Sequence, residues 1–472
     1  MQLFGQSRYR FSDKKSNYRR GAGSIEYCKW QCPARPRIEL KMPMTNSPSA
    51  WRWIPSLYFG QGIPYVVVMT LSVVMYKNLG LSNTDIALYT SWLYLPWVIK
   101  PLWSPLIDIF HTKRSWIWVM QLLIGASLAL VALSVPGERF FQMTLAIFWL
   151  MAFSSATHDI AADGFYMLAL RQHEQAAFVG VRSTFYRIAM IAGQGGLVFL
   201  AGQLSERTGD PKFAWAIVFF VLAGLFICLC IYHRWALPKP SSDTKRTATQ
   251  IESLSDVARE FITTFVLFFK RKDILLVLTF LLTFRLGEAQ ALKLVTPFLL
   301  DATAKGGLAL STSQVGLIYG TIGVIALTCG GLLGGYAISR KGLKFWIWIM
   351  LMAVHLPNLV FVYLAQAQPT SLWVIGSAIA IEQLGYGFGF AAYLLFMIMV
   401  ADGPNKTAHY ALCTGFMALG MMLPGMVSGW IQSQLGYPNF FVWVCIATIP
   451  SMIVTVFLKI DPLFGKKQTA PQ

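Results

Sequence analysis

The sequence predicts an all-α membrane protein of twelve transmembrane helices, six on either side of a central cytoplasmic loop. Three observations carry that expectation. Of 472 residues, 56% are apolar and only 13% charged, and the mean hydropathy is +0.54, far more apolar sequence than a soluble core requires. The apolar residues gather into twelve stretches, 52–78, 85–110, 115–135, 141–170, 180–206, 213–237, 273–300, 313–338, 344–365, 371–401, 406–435 and 438–459. The basic residues then alternate across these stretches. Lys113, Arg114, Arg171, the run from Lys239 to Lys272, Arg340, Lys341, Lys344, Lys406, Lys466 and Lys467 fall on one side. Little beyond Lys77, Arg139, Arg207, Lys212 and Lys305 falls on the other. This is the positive-inside pattern, with both termini in the cytoplasm. The net charge of +18 therefore reads as topology facing membrane lipid, and no nucleic acid partner is expected.

Taken in order, residues 1–50 form a basic cytoplasmic segment. Its first 43 residues hold ten Lys or Arg against three acids, with no apolar run. They are foreign enough to the rest that translation is expected to start at Met42 or Met44; the alternative is a basic tail against an anionic membrane surface. Six spans follow, as a bundle over 51–237. Pro238 and Pro240 open a linker at 238–272, in which Leu254, Val257, Phe261, Phe265 and Phe268 recur at helical spacing. They predict an amphipathic helix from Ile251 to Lys270 on the cytoplasmic surface. A second bundle fills 273–460 and a tail 461–472. The fifth and eleventh spans are rich in Gly and small residues, as where membrane helices pack closely or move against each other.

This layout resembles the major facilitator superfamily, a 6+6 fold whose halves are related by internal repeats. Two loops are similar to its cytoplasmic motif G-x-x-x-D-[RK]-x-G-[RK]. One is Ser104-x-x-x-Asp108 followed by Lys113-Arg114; the other is Gly335-x-x-x-Ser339-Arg340-Lys341-Gly342-Leu343-Lys344. Within the superfamily the chain resembles the AmpG-type muropeptide permeases of the peptide–acetyl-CoA–drug transporter branch, from Leu57 to about Leu458. The matching motifs are Gly60-Gln-Gly-Ile-Pro64, Lys100-Pro-Leu-Trp-Ser-Pro-Leu-Ile-Asp108, His158-Asp-Ile-Ala-Ala-Asp163, Tyr186-Arg187, Phe284-Arg-Leu-Gly-Glu-Ala289 and Glu382-x-Leu-x-x-Gly-x-Gly389. Gly320 and Met421 depart from it, standing where relatives carry Lys and Arg, and His158 replaces Gln.

The resemblance implies a proton-coupled secondary transporter that imports anhydro-muropeptides, anionic sugar-peptides, across the bacterial inner membrane. A carrier of another bulky organic anion such as acetyl-CoA, and a membrane sensor of cell-wall fragments, remain alternatives. An enzyme is not expected, because no metal-ligand cluster or nucleophile motif accompanies His158-Asp159. The seven cysteines show no metal spacing, no phosphate-binding G-x-x-x-x-G-K-[ST] is present, and no cofactor is implied.

The charges inside the spans sort by depth, since a helix rises about 1.5 Å per residue through a hydrocarbon core of about 30 Å. Arg285 and Glu288 lie 12 and 15 residues beyond Asp273, near the midplane, and Glu382 reaches a similar depth from the other side. Such charges are costly against lipid and mark functional sites by default. Arg285 and Glu288, at i and i+3, either neutralise each other or meet the solute, and even as a pair are expected to face the cavity. Glu382 has no charged helical neighbour. Glu288 or Glu382 is the expected proton carrier, a packing role being the alternative. Lys100 and Asp159 lie just on the cytoplasmic side of the middle, at a depth where they can meet. With Arg187, Arg285 and Lys293 they suit an anionic sugar-peptide. Asp108 and Asp163, one turn or more nearer the cytoplasm, are expected to make gate pairs with Arg114, Arg182 or Arg187.

Overall fold

The computed structural model describes residues 50–104, 107, 111–170, 172–241, 243, 254–402 and 406–465. The segment 1–43 and Asp108 lie outside them. Among the described residues, ten helical stretches are long and apolar enough to cross a membrane. One of them turns back at Gly436, whose φ of +70° no helix accepts, and so supplies two crossings. A further crossing is broken: Asn83–Trp92, Leu95–Ile99 and a 3₁₀ turn Lys100–Leu102 follow one another. Pro96 and Pro101 cause the breaks, since each lacks an N–H and clashes with the preceding turn. The fold is thus twelve transmembrane helices, as the hydropathy pattern predicts.

Numbered along the chain, span 1 is Ala50–Asn78, span 3 Lys113–Ser134, span 4 Phe140–Ala169 and span 6 Pro211–Ala236. Span 7 is Ile274–Leu300, span 8 Thr312–Lys341, span 9 Leu343–Ala367 and span 10 Leu372–Ala401. Span 2 is the broken crossing from Asn83 to Leu102. Span 5 starts at Gln172 and ends at Thr208, and spans 11 and 12 meet at Gly436. Local chemistry fixes the ends. Ser82 and Thr112 each accept a backbone N–H three residues on, Asp210 accepts those of Lys212 and Phe213, and Ser311 and Gln314 form a reciprocal cap. The linker helix, Leu254–Phe269, anchors through Phe268, fully buried and stacked on Phe416 of span 11.

Spans 1, 5 and 8 each contain a stretch of wider, π-type turns: Val67–Leu71, Ala192–Leu197 and Gly316–Gly323. Such turns mostly occur at functional sites. The last two face each other across the halves, with backbone against backbone. A Cβ on Gly320 would sit on the Gln194 carbonyl, and one on Gly316 would lie 2.7 Å from the Phe199 nitrogen. The departure from lysine at Gly320 thus has a steric reason in this arrangement. Gly320→Ala is expected to destabilise the purified carrier by about 1–3 kcal/mol, the usual cost of overpacking, read as a lowered unfolding midpoint in detergent. Met421, the other departure, is buried in the core shared by spans 1–6 and their neighbours.

Candidate functional site: a closed cavity at the break in span 7

Halfway along span 7 the helix is interrupted. Ile274–Thr283 ends, Arg285 takes φ −105° and ψ 14°, and a second helix runs Leu286–Leu300. Glu288 falls in the first turn of that second helix, where free N–H groups and the helix dipole favour an acid. Arg285 folds back on it: Nε donates to Oε2 at 3.1 Å and Nη2 to Oε1 at 2.8 Å. The two residues are 9% and 5% exposed. The guanidinium also lies against the rings of Phe390 and Tyr386, at 5.1 and 5.5 Å. A bidentate pair backed by aromatic faces is rigid and desolvated.

The pair lines a cavity of about 160 Å³, together with Tyr65, Thr70, Gln194, Tyr319, Glu382 and Gln383. Both halves contribute, and each of the three π-type stretches supplies a lining residue: Thr70, Gln194 and Tyr319. Gln194 donates to Thr70 at 3.2 Å, tying spans 5 and 1 together. Glu382 enters from span 10, 6% exposed. It accepts a hydrogen bond from the adjacent Gln383 at 2.9 Å and meets no cation within ion-pair distance among the described residues. Cavities that hold a drug-sized ligand run to about 300–1,000 Å³. This one encloses less than a sugar-peptide needs, so the halves must part to admit such a cargo.

The remaining charged positions lie around this centre. Lys293 is buried and donates to Thr90 of span 2 at 3.0 Å, with Tyr94 beneath its ammonium at 5.1 Å. Lys100 sits on the 3₁₀ turn of span 2 and makes no ion pair with Asp159 among the described residues. Instead Trp97 donates to Asp159 Oδ2 at 3.2 Å, while Oδ1 is buried with no hydrogen-bond partner. Arg187 is set between spans 5 and 8, 3.5 Å from Thr328 Oγ1, and is not part of the cavity lining. Asp163 accepts from Arg182 at 2.7 Å, and the guanidinium rests on Tyr58 and Tyr166. That pair joins spans 4 and 5 and does not cross between halves. Arg114 donates to the carbonyls of Leu237 and Arg234, while Asp243 accepts its backbone N–H and that of Lys113. It thereby ties the linker to the start of span 3. Sequence reasoning missed Gln194, Tyr319 and Thr70, which carry no charge and lie in stretches without a helical phase error visible in one-letter code.

Known proteins give this architecture its class. The chain belongs to the Major Facilitator Superfamily, whose family model matches residues 56–411. It is accordingly a multi-pass membrane transporter and not an enzyme. The AmpG-type resemblance holds over most of the chain. The chain is 26% identical over 363 residues to the anhydromuropeptide permease of Escherichia coli (strain K12), covering 76% of this chain and 69% of that protein. It is also 26% identical over 411 residues to a Rickettsia conorii protein bearing the name AmpG 4, covering 84% and 93%. Among solved structures, the fold is shared with the nucleoside transporter NupG (TM-score 0.60, 15% identity, 87% of this chain and 99% of that one). It is shared too with the D-xylose-proton symporter (TM-score 0.61, 11% identity, 88% and 98%).

Proposed function

We propose that this carrier imports anhydro-muropeptides across the bacterial inner membrane in symport with protons, with both termini and the linker helix cytoplasmic. The halves, 51–237 and 273–460, rock about the cavity, and the linker 238–272 joins them. The observation that carries the reading is the company kept by the two midplane acids. Glu288 has both oxygens engaged by Arg285, whereas Glu382 faces the same cavity with one amide donor and, among the described residues, no ion pair. A group so placed can take a proton without breaking an ion pair, so Glu382 is the proton carrier. Arg285 is the group that a substrate carboxylate competes for. Lys293, Lys100, Asp159 and Arg187, set above and below, come into play as the halves part; Asp163 with Arg182 braces spans 4 and 5 at the cytoplasmic end, and Arg114 holds the linker there. The relatives named as permeases for anhydromuropeptides support the choice of cargo.

Purified protein in proteoliposomes tests this directly. With an acidic exterior, a labelled anhydro-muropeptide is expected to accumulate above its external concentration, and a protonophore is expected to abolish the accumulation. Saturable binding without uptake makes the chain a sensor, and uptake indifferent to the pH gradient removes the proton.

A further inference from the structure

The end of the bundle remote from the linker helix is closed by a polar network that spans both halves. Lys77, at the end of span 1, pairs with Asp301, just past span 7, at 2.7 Å. The two side chains are 13% and 9% exposed. Tyr437, at the start of span 12, donates to Asp301 Oδ2 at 2.6 Å. Asn83, at the start of span 2, accepts from Lys77 at 2.7 Å and donates to Asp301 at 3.3 Å and to Gln432 of span 11 at 3.0 Å. Two further contacts join the halves beside it: Asn78 donates to Thr312 at 2.9 Å, and Ser313 to Glu206 at 3.0 Å.

We propose that Lys77 and Asp301 form the latch of the outer gate, with Asn83, Tyr437 and Gln432 as its positioning residues. The assignment to the outer face rests on the orientation given above. A tight, largely buried ion pair at an interface holds two bodies in register. When the halves part there, each charge is returned to water, so opening costs only the loss of the pair and not an orphaned buried charge. Removing one partner changes that balance. The closed form then keeps an uncompensated charge, which the open form hydrates, and the population moves toward open.

The latch is not the proton switch. Burial alone would raise the Asp301 carboxyl, but hydrogen bonds from Lys77, Tyr437 and Asn83, and the Lys77 charge, hold it below the usual carboxylate range. A depressed carboxyl keeps its pairing above its ordinary value and loses it only as pH falls through the lowered one. Lys305 and Glu206 also face this seam. The residues lining this seam are also distinct from those lining the cavity that holds Glu382.

The test places a reporter thiol in the cavity by Val73→Cys, a position 4% exposed in the closed form, and treats intact cells with a membrane-impermeant maleimide. The adduct is located by peptide mass spectrometry. Asp301→Asn or Lys77→Met is expected to raise labelling at that thiol about tenfold. The double change Lys77→Met with Asp301→Leu is expected to return it to within about threefold of the latched protein. Asn83→Ala, which leaves both charges in place, is expected to raise it about threefold and guards against a misfolded charge variant. Labelling unchanged in Asp301→Asn and in Asn83→Ala, or equally fast in the double variant, overturns the latch. A rise confined to inside-out vesicles supports the latch and overturns the orientation instead.

Discussion

A Glu382→Gln carrier exchanges cargo across the membrane but no longer concentrates it. In proteoliposomes, uptake driven by an acidic exterior is expected to fall to the level of protein-free vesicles, while counterflow between labelled and unlabelled substrate persists. The two assays separate because they ask different things of the residue. Counterflow needs only a loaded carrier to cycle, and glutamine preserves the size of the side chain and its bond with Gln383. Net accumulation also needs the empty carrier to return having released a proton, and an amide has none to release. The same substitution at Glu288 behaves differently, because it discards a bidentate partner of Arg285 and should impair both assays. Gradient-driven uptake that survives Glu382→Gln removes Glu382 from the proton path. The structure makes this contrast sharp because both acids line one cavity and, among the described residues, only Glu288 is ion-paired.

Much of the fold is legible in the sequence, because hydropathy reports depth. A run of about 20 apolar residues has one stable solution in lipid, and most spans start and stop within a few residues of where the apolar runs do; span 2, broken by its prolines, ends at Leu102 and span 5 starts eight residues early, at Gln172. The Arg285–Glu288 pair is legible for a related reason: residues three apart share a helix face. Depth does not give azimuth, however. Lys100 and Asp159 lie at matching levels, yet Trp97 takes the aspartate oxygen, since the breaks at Pro96 and Pro101 turn the end of span 2 in a way that counting residues does not capture. The π-type turns were equally hidden, as nothing in Val67–Leu71 or Ala192–Leu197 distinguishes a wider turn from a regular one until a neighbouring helix is in place. Lys77 counted only toward the charge topology and Asp301 drew no reading, because their meaning depends on a partner in the other half. Gly320 read only as a missing lysine; the backbone of Gln194 against it supplies the reason.

Arg285→Ala is expected to cost about 3–5 kcal/mol of stability, the penalty for breaking a buried pair on one side, and to abolish transport. Alone, that result would not say whether the pair serves the fold or the cargo, since Glu288 would be left 5% exposed with no cation. The double variant Arg285→Met with Glu288→Leu decides it. Replacing both charges by apolar groups of similar size removes the orphan, and such exchanges are often neutral in stability. If the pair merely neutralises itself, the double variant should recover both its unfolding midpoint and its uptake. If Arg285 is the site a substrate carboxylate engages, the midpoint recovers and binding does not. We expect the second outcome. Span 7 breaks its helix at Arg285, and a helix in lipid gives up backbone hydrogen bonds only where the freed groups line a cavity or are buried in protein. A purely structural pair at i and i+3 would have been accommodated by an unbroken helix. The break sets the guanidinium against Tyr386 and Phe390 and leaves it at the cavity wall, where a carboxylate can displace Glu288 without moving the helix behind it.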